Sequence, residues 1–500
     1  MKSVATVATG SLLAAVAQAQ VVQWDIQKRA TKPKDGILKR DASTITEVIT
    51  NEEARGGYFA SVSIGTPRQN LTLQLDTGSS DIWVPSSSAS VCSSSSSGNR
   101  GGSSSSSSTG CSFGSFTSDD SSTYTVVGED EFSISYVDGS SSKGDYFTDD
   151  FEIGGTSLTN VTMGLGEQTD IAYGLVGVGY AINEAIVGTE QSYSAAYDNL
   201  PVQMQKEGLI ATNAYSLWLN DLDASTGSIL FGGIDTDKYE GDLSRIDIIP
   251  DSSSGRYTSF EVYLTSVTAN SSSGSDSLSS SEYPIPVVLD SGTTLSYLPT
   301  DLASQLWEEV GAIYSSDLQS AILPCSMGNS KGQFVFQFAG SSGPSISVGM
   351  DELVLSLVTS GSNPTFSSGT YKGQEACQFG VQNFSSDPFL LGDTFLRSAY
   401  VVYDLSNNQI AIAKTDFNAT TSNVVAFASD GAEIPSATAV TNQVTSSAGS
   451  GSATTPTYGA ASGFGTESAA SSVLPFDLAK LGVMGAATLF MCVGSGFFFL

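Results

Sequence analysis

The sequence predicts an all-β protein of two similar lobes with a cleft between them, and three observations lead there. One short unit occurs twice, an alternating apolar run that ends in an aspartate and a tight turn. Leu71, Leu73 and Leu75 precede Asp76-Thr77-Gly78-Ser79, and Ile285, Val287 and Leu289 precede Asp290-Ser291-Gly292-Thr293. Each copy is followed by an apolar run punctuated by glycine, Gly174-Leu175-Val176-Gly177-Val178-Gly179 in the first half and Phe389-Leu390-Leu391-Gly392-Asp393-Thr394-Phe395-Leu396 in the second. Alternating runs bounded by glycine and Asp-Gly turns recur between them, with helical spacing at two short places.

Two such loops facing each other would form a carboxyl dyad. Gly78 and Gly292 let each turn fold back, and the hydroxyls of Thr77, Ser79, Ser291 and Thr293 are placed to hydrogen-bond the carboxylates and orient them. Two carboxyls a few ångströms apart cannot both ionise, so they share a proton and their titrations split. The ionised partner can then take a proton from water while the neutral one donates to a carbonyl oxygen. A lone Asp-Thr-Gly is often only a turn, but two copies 214 residues apart, each ending an apolar strand, are poorly explained that way.

The 500-residue chain has no histidine, which removes Ser-His-Asp and Cys-His catalysis and the usual zinc sites and leaves carboxylates as the main acid-base groups. No metal or cofactor is expected. The formal charge is −31, unevenly spread: residues 1–40 carry seven Lys/Arg and two Asp/Glu, the remainder 13 and 49. An acidic body disfavours nucleic-acid binding and suits a protein that stays soluble in acid or attracts basic ligands; surface solubility alone explains the charges about as well. Of five cysteines, Cys492 lies in the apolar tail, and the other four permit three pairings in an oxidising compartment.

In chain order, residues 1–19 read as a signal peptide: Lys2, an apolar or small run from Val4 to Val16, and the cleavage site Ala17-Gln18-Ala19. Residues 20–40 read as a propeptide with dibasic pairs at Lys28-Arg29 and Lys39-Arg40, ending after Arg40. A basic segment laid across an acidic cleft would hold it closed until the carboxylates protonate. The first lobe, 41–250, opens with an alternating strand from Gly57 to Ile64 and a Gly65-Thr66-Pro67 turn. Between Cys92 and Cys111 the chain is almost all Ser and Gly, which reads as a mobile loop at the cleft rim. Phe132 to Ser140 reads as a hairpin turning at Asp138-Gly139. A short helix over 200–207 is stopped by Gly208, and Gly227 to Gly233 is a strand bracketed by glycines.

The polar run from Asp251 to Gly255 marks the passage into the second lobe, 251–422. There Thr300 caps a helix whose Leu302, Leu306, Val310 and Ile313 fall at helical spacing. Two further strands, Tyr400 to Asp404 and Ile410 to Ala413, flank a turn at Ser406-Asn407-Asn408. Asn70, Asn160, Asn270, Asn383 and Asn418 begin Asn-X-Ser/Thr sequons and are candidate glycan sites. Residues 423–472, rich in Ser, Thr, Ala and Gly, read as a disordered, O-glycosylated stalk. Residues 473–500 finish in an apolar run from Leu481 to Leu500 with no basic residue behind it. Preceded by small residues at Ala469 to Ser472 and a spacer containing Asp477 and Lys480, this fits a GPI-attachment signal better than a spanning helix, with attachment between Gly463 and Ser472.

With Asp-Thr/Ser-Gly-Ser/Thr in both halves, the chain resembles the pepsin-like aspartic proteases over nearly all of residues 55–415, and its ends resemble the fungal, membrane-anchored yapsin branch. The resemblance implies a bilobal pepsin-like fold, Asp76 and Asp290 as the catalytic pair, and the two glycine-punctuated runs as strands threaded past the aspartate loops. It implies that the hairpin is a flap closing over substrate, with Tyr136 over the dyad and its hydroxyl reaching Trp83. Most relatives have Gly after that tyrosine; this chain has Val137. Asp138, beside Gly139, is implied to receive a lysine next to the scissile bond, in keeping with the net charge; alternatively it only serves its turn. Disulfides are implied between Cys92 and Cys111 and between Cys325 and Cys377. The function implied is a secreted, GPI-anchored aspartic endopeptidase, a monomer acting in acid on extended peptide or protein substrates without metal or covalent intermediate. The alternatives are a catalytically inactive cell-wall binding or structural mannoprotein and a broad-specificity digestive protease.

Overall fold

The structure is a computed structural model that describes residues 21–29, 57–93, 110–137, 139–224, 226–358, 362–446 and 457–465. The expected signal peptide, Lys39-Arg40, most of the Cys92–Cys111 loop, Asp138 and the 473–500 tail lie outside the described residues.

Among the described residues, strands form sheets of 14, eight, four and two members, and the helices are short. The repeated unit builds the same three-strand braid in each half. Gln69–Asp76 runs parallel to Gly174–Gly177, with Asp76 opposite Gly177, and Ile82–Pro85 returns antiparallel along the other side. Ile285–Leu289 runs parallel to Phe389–Leu391, with Leu289 opposite Leu391, and Ser296–Pro299 returns antiparallel to it. The glycine-punctuated strand thus threads between the strand entering each aspartate turn and the strand leaving it. Only glycine fits there, since a Cβ at Gly177 would sit 2.6 Å from Ser80 N and one at Gly392 would sit 2.2 Å from the Thr293 carbonyl oxygen.

The halves join through the 14-stranded sheet, where Ala399–Asp404 pairs with Ala214–Trp218 and Gln409–Thr415 pairs with Tyr239–Asp247. One core runs through both, with Leu75, Val176 and Leu217 from the first half and Val287, Leu289 and Val401 from the second all fully buried. Each half has one disulfide, Cys92–Cys111 and Cys325–Cys377, which is the pairing the resemblance implied.

Three expectations differ from what is observed. The second-lobe helix is Thr300–Val310, with Pro299 rather than Thr300 at the cap position. It stops because Gly311 turns left-handed at φ 69°, so Ile313, despite its spacing, lies in the short strand Ile313–Ser315. Residues Val22–Arg29, expected within a segment laid across the cleft, form a strand that pairs with Thr226–Phe231 and Gly57–Ile64, with Val22 and Ile26 buried. Finally, the stretch expected to be a disordered stalk from 423 is packed onto the body over 424–446 and 457–465. Val424–Ala426 pairs with Gly233–Asp235, Ala437–Ala439 pairs with Tyr239–Asp247, and Phe427 and Ile434 are buried.

The last of these contacts is Ala461–Phe464, whose Phe464 ring is fully buried and stacks on Phe334 at 5.3 Å. Asp276 fastens it, accepting hydrogen bonds from Thr457 Oγ1 at 2.5 Å and Ala460 N at 2.6 Å. Phe464→Ala is therefore expected to cost about 3 kcal/mol, read as a lower melting temperature of the purified protein; an unchanged melting temperature would mean that this segment is an appendage.

Candidate active site

Asp76 ends its strand and Asp290 follows directly on Ile285–Leu289, both at the junction of the halves and both fully buried. Each carboxyl is held by its own turn in the same way. Gly78 N donates to Asp76 Oδ1 at 2.8 Å and Gly292 N to Asp290 Oδ1 at 2.8 Å. Ser79 Oγ donates to Asp76 Oδ2, and Thr293 Oγ1 donates to Asp290 Oδ2 at 2.6 Å. The Asp290 carboxyl lies against the turn that holds Asp76, close enough for each carboxyl to act on the titration of the other. Their approach explains Gly78, because a Cβ there would lie 2.6 Å from Asp290 Oδ1.

Thr77 and Ser291 do not orient their neighbouring carboxylates as expected; they cross between the loops. Thr77 Oγ1 donates to the Leu289 carbonyl at 2.9 Å and accepts from Ser291 N at 2.9 Å. Ser291 Oγ donates to the Leu75 carbonyl at 3.2 Å and accepts from Thr77 N at 3.2 Å. This reciprocal set of four bonds fixes the separation of the aspartates, which the covalent chain leaves open. Thr77→Val removes two of the four, leaving the buried Ser291 amide without this acceptor and the Leu289 carbonyl with the longer bond from Tyr403 at 3.4 Å, so a loss of about 2 kcal/mol is expected in denaturant unfolding.

Burial pushes both carboxyls up, because no bulk water solvates their charge. Asp76 is driven further by the neighbouring Asp290, while hydrogen bonds from Thr293 and Gly292 restrain the rise at Asp290. One proton held between two carboxyls is the arrangement that burial and their proximity favour. Among the described residues no group of three His, Cys, Asp or Glu is spaced to hold a metal.

The hairpin is formed by Thr125–Ser135 and Ser141–Ile153. Its tip closes through Tyr136 N to Ser140 O and Gly139 N to Tyr136 O, both 2.9 Å, with Gly139 exposed and left-handed at φ 79°. The Trp83 indole N–H donates to Tyr136 Oη at 2.6 Å, which ties the hairpin to the strand leaving the Asp76 loop. Of the sequon asparagines, Asn70, Asn160 and Asn418 are exposed and Asn270 and Asn383 are half-buried.

Several supporting residues went unnoticed in the sequence. Gln74 Nε2 donates to the Gly292 carbonyl at 3.1 Å from a buried position between the halves. Asn183 Nδ2 reaches the Gly78 carbonyl at 3.3 Å, and Ser80 Oγ donates to the Tyr180 carbonyl at 2.7 Å. Asp81, five residues after Asp76, is buried and accepts from Tyr146 and Tyr197. The one visible signal was a charged residue directly before an apolar strand, Ile82–Pro85.

Comparison with known proteins agrees with this geometry. Residues 57–415 match the family model described as eukaryotic aspartyl protease. The chain is 41% identical over 432 residues to a probable aspartic-type endopeptidase OPSB of Trichophyton verrucosum, covering 85% of this chain and 82% of that one. It is 31% identical to Aspartic proteinase 3 of Saccharomyces cerevisiae, over 81% of this chain and 77% of that one. It is 36% identical to Secreted aspartic protease 8 of Candida albicans, over 73% and 77%. A family match over most of the chain, meeting a paired-aspartate site on an all-β bilobal frame, means that the chain belongs to the eukaryotic aspartyl proteases and is an aspartic-type endopeptidase.

Proposed function

We propose that Asp76 and Asp290 are the catalytic pair of a secreted, GPI-anchored endopeptidase that works in acid and prefers basic residues beside the scissile bond. The close approach of two buried carboxyls, each held by its own turn, carries the catalytic part. The ionised carboxylate takes a proton from a water whose oxygen attacks the peptide carbonyl carbon, while the neutral carboxyl gives its proton to the carbonyl oxygen. The resulting gem-diol collapses as the leaving nitrogen is protonated and the C–N bond breaks. No covalent enzyme intermediate is required. Trp83 and Tyr136 steady the hairpin that would cover an extended substrate.

Secretion rests on the signal-peptide pattern, anchoring on the C-terminal small-residue, spacer and apolar-tail pattern, and the basic preference on the charge of −31 and on Asp138. Cleavage of a mixed peptide library is the test. Acid-dependent, pepstatin-sensitive cuts beside Lys or Arg, reduced about tenfold relative to apolar sites by Asp138→Ala, are expected. Cuts between large apolar residues would discard the basic preference. Release of the protein from cells by a GPI-specific phospholipase tests the anchor, and retention would argue against it.

A further inference from the structure

Asp81 accepts three hydrogen bonds from three separate parts of the first half. Its Oδ1 takes Tyr146 Oη at 3.0 Å and Tyr197 Oη at 2.9 Å, and its Oδ2 takes Ala185 N at 2.7 Å. The carboxyl is 1% exposed, and Glu184 beside it is fully buried. A buried carboxyl of this kind costs solvation and is kept only where its bonds hold something in place.

What it holds is the base of the hairpin. Tyr146 lies on Ser141–Ile153, and its ring meets Phe132 of the opposing hairpin strand edge-on at 5.3 Å. Phe132 lies 6.3 Å from Trp83, ring to ring, and Trp83 donates to Tyr136 at the hairpin tip. The stack is pressed on a floor of backbone, since a Cβ at Gly164 would lie 2.6 Å from the Phe132 ring and one at Gly166 would lie 3.1 Å from the Trp83 ring. Nothing in this line of rings has room to shift independently.

We propose that Asp81 is a positioning residue for hydrolysis, setting the hairpin tip through Tyr146, Phe132 and Trp83. The inference rests on the two-aspartate reading of the site. Asp81 touches no reacting atom; it acts through the tyrosine that it orients, and Tyr197, bonded to the same oxygen but placed off the hairpin, supplies the internal control.

The test compares Tyr146→Phe with Tyr197→Phe. Each removes one hydroxyl from Asp81 Oδ1 and keeps its ring, so their losses of melting temperature should be similar. Tyr146→Phe is expected to lower kcat on a peptide substrate about fivefold with KM within about twofold, while Tyr197→Phe leaves both within about twofold. Amide hydrogen exchange of residues 132–141 should quicken in Tyr146→Phe alone, a readout independent of turnover. Equal effects of the two variants on kcat, or an unchanged kcat and exchange rate in Tyr146→Phe, would overturn the proposal. A wild-type protein that cleaves no peptide would instead overturn the two-aspartate reading, with the exchange comparison still deciding the role of Asp81.

Discussion

Asp76→Asn is expected to lower kcat/KM by at least about 10³-fold while leaving the fold intact. The amide is isosteric with the carboxyl and can keep the bond from Gly78 N, but it neither shares a proton with Asp290 nor takes one from water. Asp290→Asn should have the same effect, and the double variant should be little worse than either alone, because the two carboxyls act as one group. A double-variant loss equal to the product of the single losses would mean that the aspartates act independently. Circular dichroism and melting curves of the same samples separate lost chemistry from lost structure.

The second large effect is on stability, and its direction follows from buried acids away from the dyad. Burial, and then the nearby Asp81, pushes the Glu184 carboxyl from 4.5 up to about 10. Burial, and then Asp276, pushes Glu309 up to about 8, and burial with Asp387 pushes Glu261 up to about 7. A carboxyl whose folded pKa is raised binds its proton more tightly when folded than when unfolded. Its stabilising contribution is therefore complete below the unfolded value of 4.5 and is lost as pH rises towards the folded value. The protein should be most stable in acid and should lose stability as pH rises from about 4.5 through the range of these folded values.

Glu309 places one of these groups under the C-terminal segment, next to the Asp276 that fastens Thr457 and Ala460. Glu309→Gln and Glu184→Gln should each flatten the decline of melting temperature between pH 5 and 8. A wild-type melting temperature that is level or rising over that interval would contradict the assignment.

The dyad was legible because its chemistry is local. The approach strand, the aspartate, the glycine and the hydroxyl three residues on (Ser79, Thr293) are contiguous in sequence and act within one turn. Thr77 and Ser291 were misread for the complementary reason. Their partners lie 212 to 216 residues away, and only the packing of one half on the other decides that they reach across. Gln74 escaped notice because alternation assigns its face of the strand to solvent, whereas here that face meets the other half.

The stalk was misjudged by composition. A segment dominated by Ser, Ala and Gly averages to disorder, yet Phe427, Ile434 and Phe464 are spaced widely enough to be diluted in that average and each fills a buried site. Val22–Arg29 drew notice for its charge, but alternation puts Val22 and Ile26 on one face of the strand, and both are buried.

The pH profile of kcat/KM for peptide hydrolysis, measured on briefly exposed enzyme shown to be folded at each pH, bears most directly on the shared proton. Two limbs are expected, one rising as the first carboxyl ionises and one falling as its partner loses the remaining proton, with pepstatin affinity falling along the same alkaline limb. A rate that stays constant or continues to rise into neutral pH while the protein remains folded would contradict a proton shared between Asp76 and Asp290.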